Sequence, residues 1–226
     1  MAAVTAASPD GAPIRGGSGV FRFHDAGLQP TLRDVLLQMI ITSDNTATDL
    51  VIGKVGGIGP VNAMITRAGY DPLHLTMTTG ELFAKYGALQ ATDRDDKTIN
   101  DPAYWLGSMT PRATGRILED IQRCNDGATP AVASKAACAD MLRMFRAQQS
   151  GARRLPHFLT VPVGHKTGDF APVLANDVGI IYARSGPIVV SFFLNGIRGP
   201  YAEAEDCIGR VAQLIVEYFD GVEPPR

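Results

Sequence analysis

Along the first two-thirds of the chain the apolar positions recur with helical spacing. Leu32, Val35, Leu36, Met39 and Ile40 stand at i, i+3, i+4, i+7 and i+8, which predicts a helix over residues 31–42. Thr31, behind Pro30, is its expected N-cap. Ile41 widens the apolar stripe, so this helix should be buried on most sides. Its expected end is Ser43-Asp44-Asn45, three residues whose side chains favour turns and caps over helix interiors. Two further helices, over residues 46–55 and 60–68, should stop at Gly56-Gly57 and at Gly69. Helices are also predicted over 79–89, over 110–124 with Thr110-Pro111 as the start, and over 131–149. Residues 90–108 are polar and aromatic without periodicity, and read as one long loop of the kind that often serves function.

After Pro156 the period changes. Residues 161–166, 177–183 and 187–195 read as strands, with Ser185-Gly186-Pro187 turning the last two into an antiparallel hairpin. A closing helix over 202–219 puts Ile208, Val211, Leu214, Ile215 and Phe219 on one face. Helices, then a small antiparallel sheet, then a covering helix make the fold class α+β. The expected organisation is one domain over residues 1–226: a loose arm (1–19), a helical lobe (20–155) and a sheet lobe (156–226).

Composition narrows the function classes. A chain of 226 residues, 45% of them apolar, can bury a sizeable core without staples. The 21 basic and 23 acidic residues leave no basic excess for a nucleic-acid or anionic-membrane partner. No stretch reaches the roughly 18 apolar residues of a membrane helix. Residues 1–19 have no basic segment followed by an apolar one, so they do not read as a signal peptide. Cys124, Cys138 and Cys207 are few, odd in number and far apart, and read as buried thiols; a bridge between Cys124 and Cys138 is the alternative.

Two short motifs carry candidate chemistry, Ser43-Asp44-Asn45 after a buried helix and Lys166-Thr167-Gly168 at the end of a strand. Taken singly, Ser43 is a helix-end turn residue and Lys166 an edge-strand charge that deters pairing. His165 reads as a structural neighbour of the sheet. Tyr104 and Trp105 read as loop anchors, an aromatic wall for a substrate being the alternative. Together, in this order, the motifs resemble the serine-active penicillin-recognising enzymes, specifically class A β-lactamases and their relatives. The resemblance runs from about Gly17 to Phe219. It is carried by Thr31-Leu32-Arg33-Asp34, the run from Ser43 to Leu50 (SDNTATDL), Gly56-Gly57, Val61-Asn62, His165-Lys166-Thr167-Gly168 and Asn176-Asp177-Val178-Gly179.

The resemblance implies a β-lactamase-like fold, a small-molecule β-lactam or peptide-like substrate, and no cofactor or metal. It implies a periplasmic or secreted location. Acyl transfer to a serine needs a proton relay and a stabilised oxyanion. Ser43 would be the relay hydroxyl, and Lys166 would supply a positive potential for a substrate carboxylate. Asn45 would donate to the substrate or to a catalytic lysine. Thr167 would bond the substrate carboxylate, Gly168 would let substrate lie along the strand, and Asp169 would supply an oxyanion N–H. Asp44 would tie down its own loop. Ser43 and Lys166 are expected to face each other across a cleft.

Two departures qualify the resemblance. The five lysines, Lys54, Lys85, Lys97, Lys135 and Lys166, follow Val51, Leu82, Arg94, Val132 and Val163 by three positions, so the chain holds no Ser-x-x-Lys. The family places that motif farther upstream than the residues before Ser43 allow. The expectation is a chain that begins after the nucleophile helix, without the family's opening helix and first two strands. Residues 90–108 also lack a glutamate for deacylation, offering only Asp93, Asp95, Asp96 and Asp101. The leading reading is a serine hydrolase without its nucleophile and inactive as it stands. The alternative is a non-catalytic binding or scaffold module. No H-x-x-x-H or G-x-x-x-x-G-K supports a metal- or nucleotide-dependent enzyme. With the family's first strand absent, the last strand's open edge predicts a homodimer or larger assembly, unless residues 2–7 supply a replacement strand.

Overall fold

The computed structural model describes residues 17–24 and 27–221, so most of the expected arm, including residues 2–7, lies outside the described residues. The chain forms two compact units that divide between Met109 and Thr110.

The first unit is built on helices α1 (Leu32–Ile41), α2 (Asn45–Lys54), α3 (Ile58–Arg67) and α4 (Thr79–Gly87). Thr31 begins α1 as expected, its hydroxyl accepting from Asp34 N–H while the Asp34 carboxylate takes the Thr31 N–H. Thr78 and Glu81 make the same reciprocal cap on α4. Asp49 reaches from α2 to the N–H groups of Thr79 and Gly80 at 2.8 and 2.9 Å, tying the two helices end to side. Phe21, Val35 and Ala47 form the buried centre.

Residues 90–108 are not the single loop that their lack of periodicity predicts. They hold a helix α5 (Arg94–Asn100) and two short 3-10 turns, and strand β1 (His74–Leu75) pairs with β2 (Gly107–Ser108). Side chains organise this segment in place of an apolar stripe. Thr98 meets the Tyr86 hydroxyl at 2.6 Å, and the Trp105 indole N–H donates to Thr98 O at 2.9 Å. Trp105 is thus a loop anchor, and Tyr104 packs edge-on against Tyr86.

In the second unit an antiparallel sheet of order β3-β4-β5 joins Val163–Phe170, Leu174–Ala183 and Gly186–Asn195. Helices α6 (Pro111–Asn125) and α7 (Lys135–Arg146) pack on the sheet, on its side of the division, although their periodicity alone grouped them with the preceding helices. Leu118, Ile121, Leu142 and Ile180 fill that layer. Helix α8 (Tyr201–Phe219) contributes to a second core of Leu155, Ile181, Val190, Ile208 and Ala212.

Cys124 and Cys138 are not thiols but a disulfide, which corrects the sequence expectation. Cys124 stands near the end of α6 and Cys138 in the first turn of α7; the short connection turns the chain back and brings them together. Both are buried. Cys207 is free and exposed, so it is not a buried thiol either.

Candidate functional site

The candidate residues fall into two groups, one in each unit. Ser43 and Asn45 belong to the first. Here α1 ends and α2 begins without a spacer, so the chain must turn within Ser43 and Asp44. Ser43 does this with φ 52, the one non-glycine residue at positive φ among the described residues. For a serine this conformation costs of order 1 kcal/mol or more and persists only when its surroundings fix it.

Asp44 supplies that fixation. Its carboxylate is almost fully buried, 1% exposed, and caps α2 by accepting from Ala47 N–H at 2.8 Å. The other oxygen takes the N–H groups of Val20 and Phe21 at 2.6 and 2.8 Å. Gly19 has φ +112, and a Cβ there would overlap the Asp44 carboxyl group, so the chain can wrap Asp44 this closely only with glycine. Asn45 N–H donates to Ser18 O at 3.2 Å, and Asn45 O accepts from the Thr79 hydroxyl at 3.1 Å. The turn is therefore held from both sides of its sequence.

Lys166, Thr167, Gly168 and Asp169 follow one another on β3, opposite Val178, Asp177, Asn176 and Ala175 of β4. Among the described residues β3 pairs on one side only, so its other edge carries no strand. Burial pushes the Lys166 ammonium down to about 8, against the opposing pull of Asp169 and Asp177. Its Nζ donates to Thr167 O at 2.6 Å. Such a lysine is a cation at neutral pH and can lose its proton within one or two pH units of it. A Cβ on Gly168 would meet Asn176 at 3.8 and 3.9 Å, ordinary contact distances, so packing does not demand glycine there.

His165 sits under the strand as a structural residue. Its Nδ1 donates to Asp177 Oδ1 at 2.9 Å, and Asp177 Oδ2 takes the Leu155 N–H at 3.2 Å, all in the buried interior. The Thr167 hydroxyl meets Ser150 Oγ at 2.7 Å.

A group that local sequence patterns did not disclose surrounds Asp169. Arg154, its side chain 3% exposed, pairs with Asp169 and with Glu205 at 3.0 Å. It also donates to Asn176 O at 2.8 Å and to the Tyr201 hydroxyl at 3.1 Å. Tyr201 Oη lies 3.2 Å from Asp169 Oδ1 and 2.9 Å from Leu174 O. Burial, with Asp169 next, pushes the Tyr201 phenol up to about 12. Arg154, Asp169 and the pair Tyr201 and Glu205 come from three separated stretches of sequence, so no local spacing announces the group.

Comparison with known proteins gives this arrangement a family. A model of the β-lactamase enzyme family matches residues 5–219. A β-lactamase of Bacteroides uniformis is 24% identical over 87% of this chain and 62% of its own length. β-Lactamase L2 of Stenotrophomonas maltophilia is 28% identical over 86% of this chain and 58% of its own length. The chain thus spans about three-fifths of the curated relatives it matches. The crystal structure of a β-lactamase from Sphaerobacter thermophilus superposes with a TM-score of 0.76 at 27% identity, covering 99% of this chain and 74% of that one. The helices and the antiparallel sheet thus have a family: the chain belongs to the β-lactamase enzyme family.

Proposed function

We propose that this chain carries the substrate-binding and proton-relay part of a serine acyl-transfer site, and that Ser43-Asp44-Asn45 and Lys166-Thr167-Gly168-Asp169 serve one substrate. The observation that carries the reading is the turn at Ser43. A serine is held at φ 52 by a buried carboxylate with three backbone donors, in a chain whose family uses S-D-N as a motif. Strain maintained by so many contacts points to a positioned hydroxyl.

In this reading Ser43 passes a proton toward the leaving nitrogen, and Lys166 sets the positive potential that favours it. Asn45 and Thr167 bond the substrate, Gly168 leaves room along the strand edge, and Asp169 N–H faces the oxyanion. The substrate is a β-lactam or a related amide or ester. The chain has no Ser-x-x-Lys, so no serine stands with an activating lysine at that spacing, and the chain as given does not form an acyl-enzyme. A periplasmic or secreted location is supported by the buried Cys124–Cys138 disulfide, since such bonds persist in oxidising compartments. No helix among the described residues is long and apolar enough to cross a membrane. Self-association through the open edge of β5 belongs to the same reading.

The test is an amide NMR titration with benzylpenicillin methyl ester. Shifts at Ser43 and Asn45 and at Thr167 to Asp169 should saturate together, with one dissociation constant. Shifts confined to one group would separate the two motifs and overturn the reading.

A further inference from the structure

Asp169 stands where a strand that receives an anionic substrate would be expected to show none of its own negative charge. Its side chain is 42% exposed, while the arginine that it engages is buried. Arg154 is fully committed within the fold: Asp169 and Glu205 take its charge, and Asn176 O and the Tyr201 hydroxyl take further N–H groups. Along β3 successive side chains alternate, so Asp169 shares a face with Thr167, whose hydroxyl is bonded to Ser150. The protein's own carboxylate thus already holds the arginine beside Thr167 that an incoming carboxylate could otherwise engage. Asp169 uses Oδ1 for Arg154 and Tyr201. Charge around the strand end is matched before any ligand arrives: Lys166 and Arg154 against Asp169 and Glu205.

We propose that Asp169 is a specificity-determining residue, fixed by Arg154 and Tyr201, which selects neutral ester or amide substrates over those with a carboxylate at this end of the strand. The inference rests on the proposed role of the Lys166 strand as a substrate site and refines its substrate class. An anionic ligand would meet a like charge held in place by a buried ion pair, and like-charge juxtaposition is an effective means of rejection. A neutral ligand meets the same groups with no charge for Asp169 to oppose.

The experiment titrates the full chain and its Asp169→Asn variant with benzylpenicillin and with its methyl ester. Asparagine keeps the shape and a carbonyl oxygen for Tyr201 and Arg154, and Glu205 remains to balance the arginine. The wild-type chain should bind the ester about tenfold more tightly than the acid, as expected of one repelled charge near a protein surface. In Asp169→Asn the acid should gain about tenfold relative to the ester, and raising the salt should shrink the wild-type preference. Arg154→Lys gives a second arm, since a looser carboxylate should weaken the preference even if Asp169→Asn melts early. Binding of both probes with a ratio that neither variant moves would overturn this proposal and leave the proposed function standing. Binding of neither probe by any form would overturn the proposed function, and this inference with it.

Discussion

Lys166 is where burial and charge meet most directly. Its pKa of about 8 lies below the 10.5 of a free lysine, with burial as the leading cause. Between about pH 8 and 10.5 the folded state therefore holds fewer protons than the unfolded chain, and stability rises with pH across that window. Below pH 8 the full cost of a buried cation remains; near 10.5 it has gone. Lys166→Met should raise the melting temperature at pH 7 and flatten its pH dependence between 8 and 10.5. A variant that melts lower at pH 7 would mean that the ammonium stabilises the fold. The residue roles were legible to unequal depth. Asp44 as the tie of its own loop could be anticipated, because a short carboxylate after a helix end commonly bonds nearby N–H groups, and it does so with Val20, Phe21 and Ala47. Arg154 could not be anticipated, since its partners Asp169, Tyr201 and Glu205 meet only through tertiary structure.

At the scale of elements, local signals worked where the local physics is strong. Thr31 and Thr110 cap the helices that they were expected to cap, and the Ser185-Gly186 turn joins β4 to β5. Helix α7 begins at Lys135, later than its periodicity suggested, because Ser134 caps it through Ala137 N–H. The polar residues at the end of β3 hid its extent. It runs to Phe170 because β4 supplies ladder partners as far as Leu174, which hydrophobic alternation does not show. Helix α5 was invisible for a related reason: it lacks an apolar stripe and is secured by Thr98 on Tyr86 and by Lys97 with Asp101. The disulfide required knowledge that α6 and α7 turn back on each other. Closing a loop of this size contributes about 3 kcal/mol through the unfolded chain.

For the whole molecule, the open surfaces carry the consequence. Among the described residues β5 pairs only with β4, and Leu214, Tyr218 and Phe219 of α8 are exposed. Open strand edges beside apolar surface favour pairing between chains. Sedimentation at micromolar concentration should show a dimer or larger species, whereas a single monomer with cooperative high-temperature melting would show that the edge is satisfied within one chain. The central claim is that the chain keeps the relay and binding residues of a serine hydrolase without an activated nucleophile. Intact-mass spectrometry after incubation with benzylpenicillin tests it most directly. The account predicts the unmodified mass at every time point; a stoichiometric acyl adduct on Ser18 or Ser43 would contradict it.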